Sequence, residues 1–100
     1  MRYDKLTIKS QEALAEAQSQ ASSRGHGEIQ PAHLLRALCN QPEGSTVPVL
    51  QKLGVSIDQL GNALEALLAR IPKVSGGAQP QIARSTSRVL DKAFAEAEAL

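Results

Sequence analysis

Leu6-Thr7-Ile8-Lys9-Ser10-Gln11-Glu12-Ala13-Leu14-Ala15-Glu16-Ala17-Gln18-Ser19-Gln20-Ala21 recurs in outline 76 positions later as Ile82-Ala83-Arg84-Ser85-Thr86-Ser87-Arg88-Val89-Leu90-Asp91-Lys92-Ala93-Phe94-Ala95-Glu96-Ala97. Leu6, Ser10, Leu14, Ala17 and Ala21 correspond to Ile82, Thr86, Leu90, Ala93 and Ala97 at that one offset. In the first copy Leu6, Ala13, Leu14, Ala17 and Ala21 recur as one face of a helix, with Lys5, Lys9, Glu12 and Glu16 mostly opposite. In the second copy Ile82, Val89, Leu90, Ala93, Phe94, Ala97 and Leu100 make the stripe. A duplicated block of about 76 residues is a supersecondary unit that packs against its copy across a pseudo-twofold axis.

Working outward, the first helix is predicted from about Asp4 to about Ser23 and ends in Arg24-Gly25-His26-Gly27, where glycine supplies the left-handed cap. Glu28-Ile29-Gln30 reads as a short extended link. Pro31 suits the first turn of a second helix carrying Leu34, Leu35, Ala37, Leu38 and Cys39, broken by Asn40-Gln41-Pro42-Glu43-Gly44. Ser45 or Thr46 caps a short third helix with Pro48 in its first turn, apolar positions at Val47, Val49, Leu50 and Leu53, and Gly54 as its stop. Ser56-Ile57-Asp58-Gln59 reads as a capping box opening a fourth helix, with a stripe of Leu60, Ala63, Leu64, Leu67, Leu68 and Ile71 that ends at Pro72. Lys73 to Pro80 contains Ser75-Gly76-Gly77 and no apolar period, as an exposed linker would. A fifth helix is predicted from Pro80 or Gln81. The expected division is a four-helix repeat over 1–72, a linker over 73–80 and the first helix of a second repeat over 81–100, the whole a truncated or proteolysed fragment with extra apolar surface exposed on the fifth helix or covered by an intermolecular contact.

Composition supports an all-α fold. The hydrophobic fraction is 42%, with one Phe, one Tyr and no Trp. It is mostly Ala, Leu, Val and Ile; Ala and Leu are the strongest helix formers, and few β-branched or aromatic runs exist to build strands. No strand is expected in the core. One hundred residues fit one small domain. The net charge is +1, from 11 basic and 10 acidic residues, without like-charge blocks. Arg36 and Lys52 are isolated, which argues against a helix-turn-helix reading of the second and third helices and against nucleic acid as a partner. There is no signal-peptide core and no run of ~20 apolar residues for a membrane span. The single Cys39 cannot form an internal disulfide, which favours a reducing, cytoplasmic setting.

Catalytic and cofactor patterns are missing from the residues. Nothing matches the Gly-rich loop plus Lys that cradles phosphates. His26 and His33 are the only histidines. Cys39 lies six residues beyond His33, about 240° around a helix, so the two do not make a ligand pair. His33 is expected as a partly buried helix-start residue and Cys39 as a small core side chain. No nucleophile elbow is present, and the chain is read as non-catalytic.

Three segments resemble ClpB-type AAA+ disaggregase chaperones: Met1-Arg2-Tyr3-Asp4-Lys5-Leu6-Thr7, Ile29-Gln30-Pro31-Ala32-His33-Leu34-Leu35-Arg36-Ala37-Leu38, and Ala69-Arg70-Ile71-Pro72-Lys73-Val74-Ser75-Gly76. The similarity covers essentially the whole chain and is to the N-terminal Clp N domain, two pseudo-repeats of a four-helix unit. The resemblance implies a domain tethered to a homohexameric, two-ring ATPase that captures unfolded or aggregated polypeptides. ATP and Mg would bind outside this chain, with no cofactor in it. In some relatives the domain instead binds adaptor proteins. Relatives that serve a protease often have Thr-Glu-His where this chain has Pro31-Ala32-His33; the missing acidic side chain favours the disaggregase reading over the protease-partner one.

The resemblance places Thr7 beside the groove between repeats; the residues alone read it as a helix N-terminal cap or a solvent-facing hydroxyl. Val89 and Leu90 read as core, or one of them lines an apolar peptide groove. Such a groove gives weak, sequence-tolerant capture. A Leu-sized side chain contributes only ~1.5–3 kcal/mol, association consumes several, and display on a hexamer restores avidity.

Overall fold

A computed structural model describes residues 7–41, 43–74 and 79–99. Its elements are α1 (Ile8–Ser23), β1 (Glu28–Ile29), α2 (Pro31–Cys39), α3 (Thr46–Lys52), α4 (Ile57–Ala69), β2 (Gln81–Ile82) and α5 (Arg84–Ala99). The fold is the expected all-α arrangement, with five helices and one two-residue strand pair among the described residues.

Local chemistry sets the helix ends. Thr7 is the N-cap of α1, its hydroxyl accepting the Ser10 N–H at 3.1 Å. Thr7 is extended, so α1 begins at Ile8 and not near Asp4 as expected, because the cap needs a non-helical backbone; Asp4 to Leu6 themselves lie outside the described residues. At the other end Gly25 takes φ +75°, while His26 N–H bonds to Ala21 O and Gly25 N–H to Ser22 O. This is a Schellman closure, and it repeats at Gly54, φ +85°, with Val55 N–H on Leu50 O and Gly54 N–H on Gln51 O. Ser56 caps α4 by accepting the Gln59 N–H at 3.3 Å.

The core is alanine-rich where α1, β1 and α2 meet. Ala13, Ala17, Ala21, Ile29 and Ala37 form one buried cluster, with Leu34, Leu38 and Ile82 packed against it. Small side chains let the helix backbones approach closely, so shape rather than bulk holds this interface. Leu64 and Leu68 are the buried residues of α4. Leu67, read as part of the same stripe, is 52% exposed, and Ala63 is exposed, so the buried stripe is narrower than its sequence pattern. Val49 and Leu53 of α3 are likewise exposed.

The duplicated stretches form helices of equal length, 16 residues, at the offset seen in the sequence. Leu14 and Leu90 are both buried. Ala17 is buried and its counterpart Ala93 is exposed, so the two copies are not covered alike. The start of the second copy corrects the sequence reading. Ile82 is not on the helix stripe; it is in β2, and α5 begins at Arg84. The cause is a non-local ladder. Glu28 and Ile29 pair in parallel with Gln81 and Ile82. Gln81 N–H bonds to Gly27 O at 3.1 Å and Ala83 N–H to Ile29 O at 3.2 Å. These bonds hold the chain extended until the helix starts, and they place a strand where none was expected.

The described ends of the 73–80 segment are fastened to the body. Val74 N–H donates to Gly25 O at 2.8 Å, Gln18 Nε2 donates to Gln79 Oε1 at 2.6 Å, and Pro80 is buried. Ser75 to Gly77 lie outside the described residues.

Candidate functional site

The strand pairing brings both sequence copies to one groove. Leu14 and Ala15 of α1, Ile29 of β1, and Pro80 and Ile82 line a cleft of about 360 Å³. Gln11, Gln18 and Gln81 supply its polar lining. No charged side chain is among the lining residues. Apolar walls attract apolar side chains without strict direction, and carboxamides both donate and accept, matching a peptide backbone. The arrangement suits a short uncharged polypeptide segment.

Thr7, Val89 and Leu90 do not line this cleft. Thr7 is exposed, with its hydroxyl committed to Ser10: it accepts the Ser10 N–H and donates to Ser10 Oγ at 3.0 Å. Capping is therefore what the Thr7 side chain does here. Leu90 is 7% exposed and sits in the core; its neighbour Val89 is 46% exposed on the outer surface of α5. The sequence reading missed Leu14, Ile29 and Ile82 as joint groove residues. Each sits on an apolar stripe or link, but their convergence depends on the ladder between β1 and β2.

A second cluster was also missed. His33 is fully buried and His26 nearly so, where His33 was expected only partly buried. His26 Nδ1 lies 2.8 Å from His33 Nε2, and His33 Nδ1 accepts the Gln30 N–H at 2.8 Å. A backbone N–H can only donate, so His33 Nδ1 is unprotonated. His33 then carries its proton on Nε2 and donates it to His26 Nδ1, which leaves His26 protonated on Nε2. Burial lowers the His33 pKa from the usual 6.5 to about 4, helped by repulsion from His26 and Arg24. Burial also lowers His26, with Arg24 and Lys73 adding repulsion. A spacing of seven residues across a loop gives no periodic signal for such a pair. The legible hint was His33 at the third position of a helix whose cap is Gln30, where a side chain can reach back to the cap amide.

Glu65 of α4 accepts from Arg24 at 2.9 Å and from Arg36 at 3.0 Å, tying the end of α1 and the middle of α2 to α4. The two guanidinium groups, Arg24 first, hold its carboxyl below the usual range. Gly61 leaves room for this: a Cβ there would stand 3.3 Å from Arg36 Nη1. Burial raises the Cys39 thiol. Among the described residues, no group of three or more His, Cys, Asp or Glu side chains could hold a metal ion. No helix among them is long and apolar enough to cross a membrane.

Comparison with known proteins agrees with this architecture. The chain is 39% identical over 99 residues to the chaperone protein ClpB of Rhodopirellula baltica, covering 99% of this chain and 11% of that protein. It is 43% identical over 89 residues to ClpB of Corynebacterium diphtheriae, covering 87% and 10%. The chain thus spans about a tenth of the length of the curated relatives it matches. Among solved structures, the N-terminal domain of the ClpV1 ATPase from E. coli matches with a TM-score of 0.83 at 28% identity, over 91% of this chain and 55% of that one. A ClpV N-domain solved in complex with a VipB peptide matches with a TM-score of 0.77 at 25% identity, over 91% and 54%. Residues 5–100 match the Clp repeat (R) N-terminal domain, and the chain belongs to that family.

Proposed function

We propose that this chain is the polypeptide-docking domain of a larger, ATP-dependent disaggregating chaperone, binding unfolded or aggregated segments weakly and presenting them to a hexameric ATPase in the cytoplasm. The observation that carries the reading is the uncharged groove between α1 and the 80–82 segment, with its apolar walls and carboxamide lining. Membership in the Clp N family and the identity to ClpB proteins support the setting. Of the apolar walls, Ala15 is exposed and Ile82 half-buried while Leu14, Ile29 and Pro80 are already buried, so a ligand covers little new apolar area and little is left after the cost of association. The affinity expected of the single domain is on the order of 0.1–1 mM. Thr7, Val89 and Leu90 are proposed as a second contact zone, and ATP and Mg as ligands of the larger protein.

NMR titration of the chain with a chemically denatured model protein tests the reading. Shifts clustered at Leu14, Ala15, Ile29 and Ile82 are expected. Shifts confined to Thr7, Val89 and Leu90 would move the site to that zone, and no shifts at millimolar concentration would end the capture reading.

A second reading, docking of one defined adaptor or partner protein, is favoured by the ClpV N-domain solved with a VipB peptide. It predicts micromolar or tighter binding to a single sequence. Repeated recovery of one small folded protein with the immobilised domain would select it.

A further inference from the structure

The loop that joins α1 to α2 carries both His26 and the carbonyls on which the distant part of the chain hangs. Gly25 O accepts from Val74, Gly27 O from Gln81, and Ile29 O from Ala83. Ile29 O also accepts the Thr86 hydroxyl at 2.6 Å. His26 is anchored to α2 through His33, and His33 to the Gln30 amide.

This chain of bonds has no place for an additional proton. The unprotonated nitrogens are His26 Nδ1 and His33 Nδ1. A proton added to His26 Nδ1 faces the His33 Nε2–H across 2.8 Å. If His33 instead changes tautomer to receive that bond, its new Nδ1–H faces the Gln30 N–H across 2.8 Å. Either way one proton sets two donors against each other and breaks one of the two bonds. The charged groups that face the pair make matters worse: Arg24 at the end of α1 and Lys73 after α4 are both cationic. Glu65 of α4, bonded to Arg24 and Arg36, is engaged elsewhere. A buried imidazolium without an anion is costly and is relieved by moving the loop outward.

We propose that the His26–His33 pair is an acid-release latch: protonation of the pair frees the 24–29 loop and thereby undocks Val74, β2 and the start of α5 from the α1–α2 body. The contact of α2 with α4, whose buried residues are Leu64 and Leu68, does not pass through this loop and persists. The latch does not rest on what the groove binds, although its release also removes the groove wall formed by Pro80, Gln81 and Ile82.

Amide hydrogen exchange of the full chain, followed by NMR between pH 7.5 and 3.5 and corrected for intrinsic exchange, tests it. The Val74, Gln81 and Ala83 amides are expected to lose protection at least tenfold more than those of Leu64 and Leu68, in step with titration of the imidazole carbon-bound proton signals. Equal loss at both sets, or no loss, overturns the proposal. His26→Asn is a second arm. Its Oδ1 can accept from His33 Nε2 and cannot be protonated, so the selective loss should shift to lower pH. An unshifted profile in a folded His26→Asn protein also overturns the proposal. If that variant does not fold at pH 7.5, the exchange comparison on the unaltered chain decides alone.

Discussion

Thr86 Oγ1 donates to the main-chain oxygen of Ile29 across 57 residues of sequence, and both side chains are buried. The hydroxyl sits in the first turn of α5, so a helix from the far end of the chain is hung on the strand between α1 and α2. Thr86→Val keeps the shape and removes the donor. Ile29 O retains the Ala83 N–H, so the expected cost is about 1 kcal/mol rather than a full unsatisfied-carbonyl penalty. Chemical denaturation measures it, and exchange of the α5 amides should rise before that of α1.

Acid is expected to weaken the fold in two stages with one sign. His33 binds its proton less readily folded than unfolded, so its contribution is fully present above pH 6.5 and is lost as pH falls from 6.5 toward about 4. His26, also lowered, acts in the same direction. The loss by pH 4 should reach about 2–3 kcal/mol for His33 alone. Denaturation midpoints between pH 7.5 and 4 check this; a flat profile to pH 4.5 would contradict the buried pairing.

Glu65 provides the second stage. Its lowered carboxyl contributes stability above the usual carboxylate range that disappears as pH falls through its folded value. The side chain is 42% exposed, so screening limits the effect. Glu65→Gln is expected to cost about 0.5–1 kcal/mol at low salt and less in 0.5 M salt. An unchanged difference at high salt would mean that packing, not charge, is what Glu65 supplies.

Ala15 is exposed and lines the groove, so Ala15→Glu can be made there without touching the core. Glutamate is a good helix former, and stability should change by less than about 0.5 kcal/mol. Binding of an uncharged peptide should fall about tenfold, because docking would desolvate the new carboxylate. Isothermal calorimetry or NMR titration reads the change, and unaltered binding would place the docking surface elsewhere.

Helix ends were the most legible part of this fold. Gly25, Gly54, Pro31 and Ser56 sit where their backbone chemistry requires, because caps are decided within a few residues. The family resemblance was also readable from three segments. What could not be read was set by bonds between remote residues. Ile82 has a helix-compatible period yet is extended, because Gly27 and Ile29 claim the neighbouring amides. Leu67 belongs to an apolar stripe yet is exposed, because the stripe is wider than the partner surface. The groove and the histidine pair share that origin: each gathers residues whose meeting depends on a loop path that periodicity does not encode.

The two-residue ladder between β1 and β2 also bears on how quickly the chain finds its shape. Its partners are more than fifty residues apart, so closing that contact sacrifices far more chain freedom than any helix-to-helix turn within α1–α4. The early helices can assemble through neighbouring contacts first, leaving the β1–β2 ladder as a late event on the route to the native state. Weakening Ile82 should accordingly hasten unfolding while leaving the refolding rate nearly untouched.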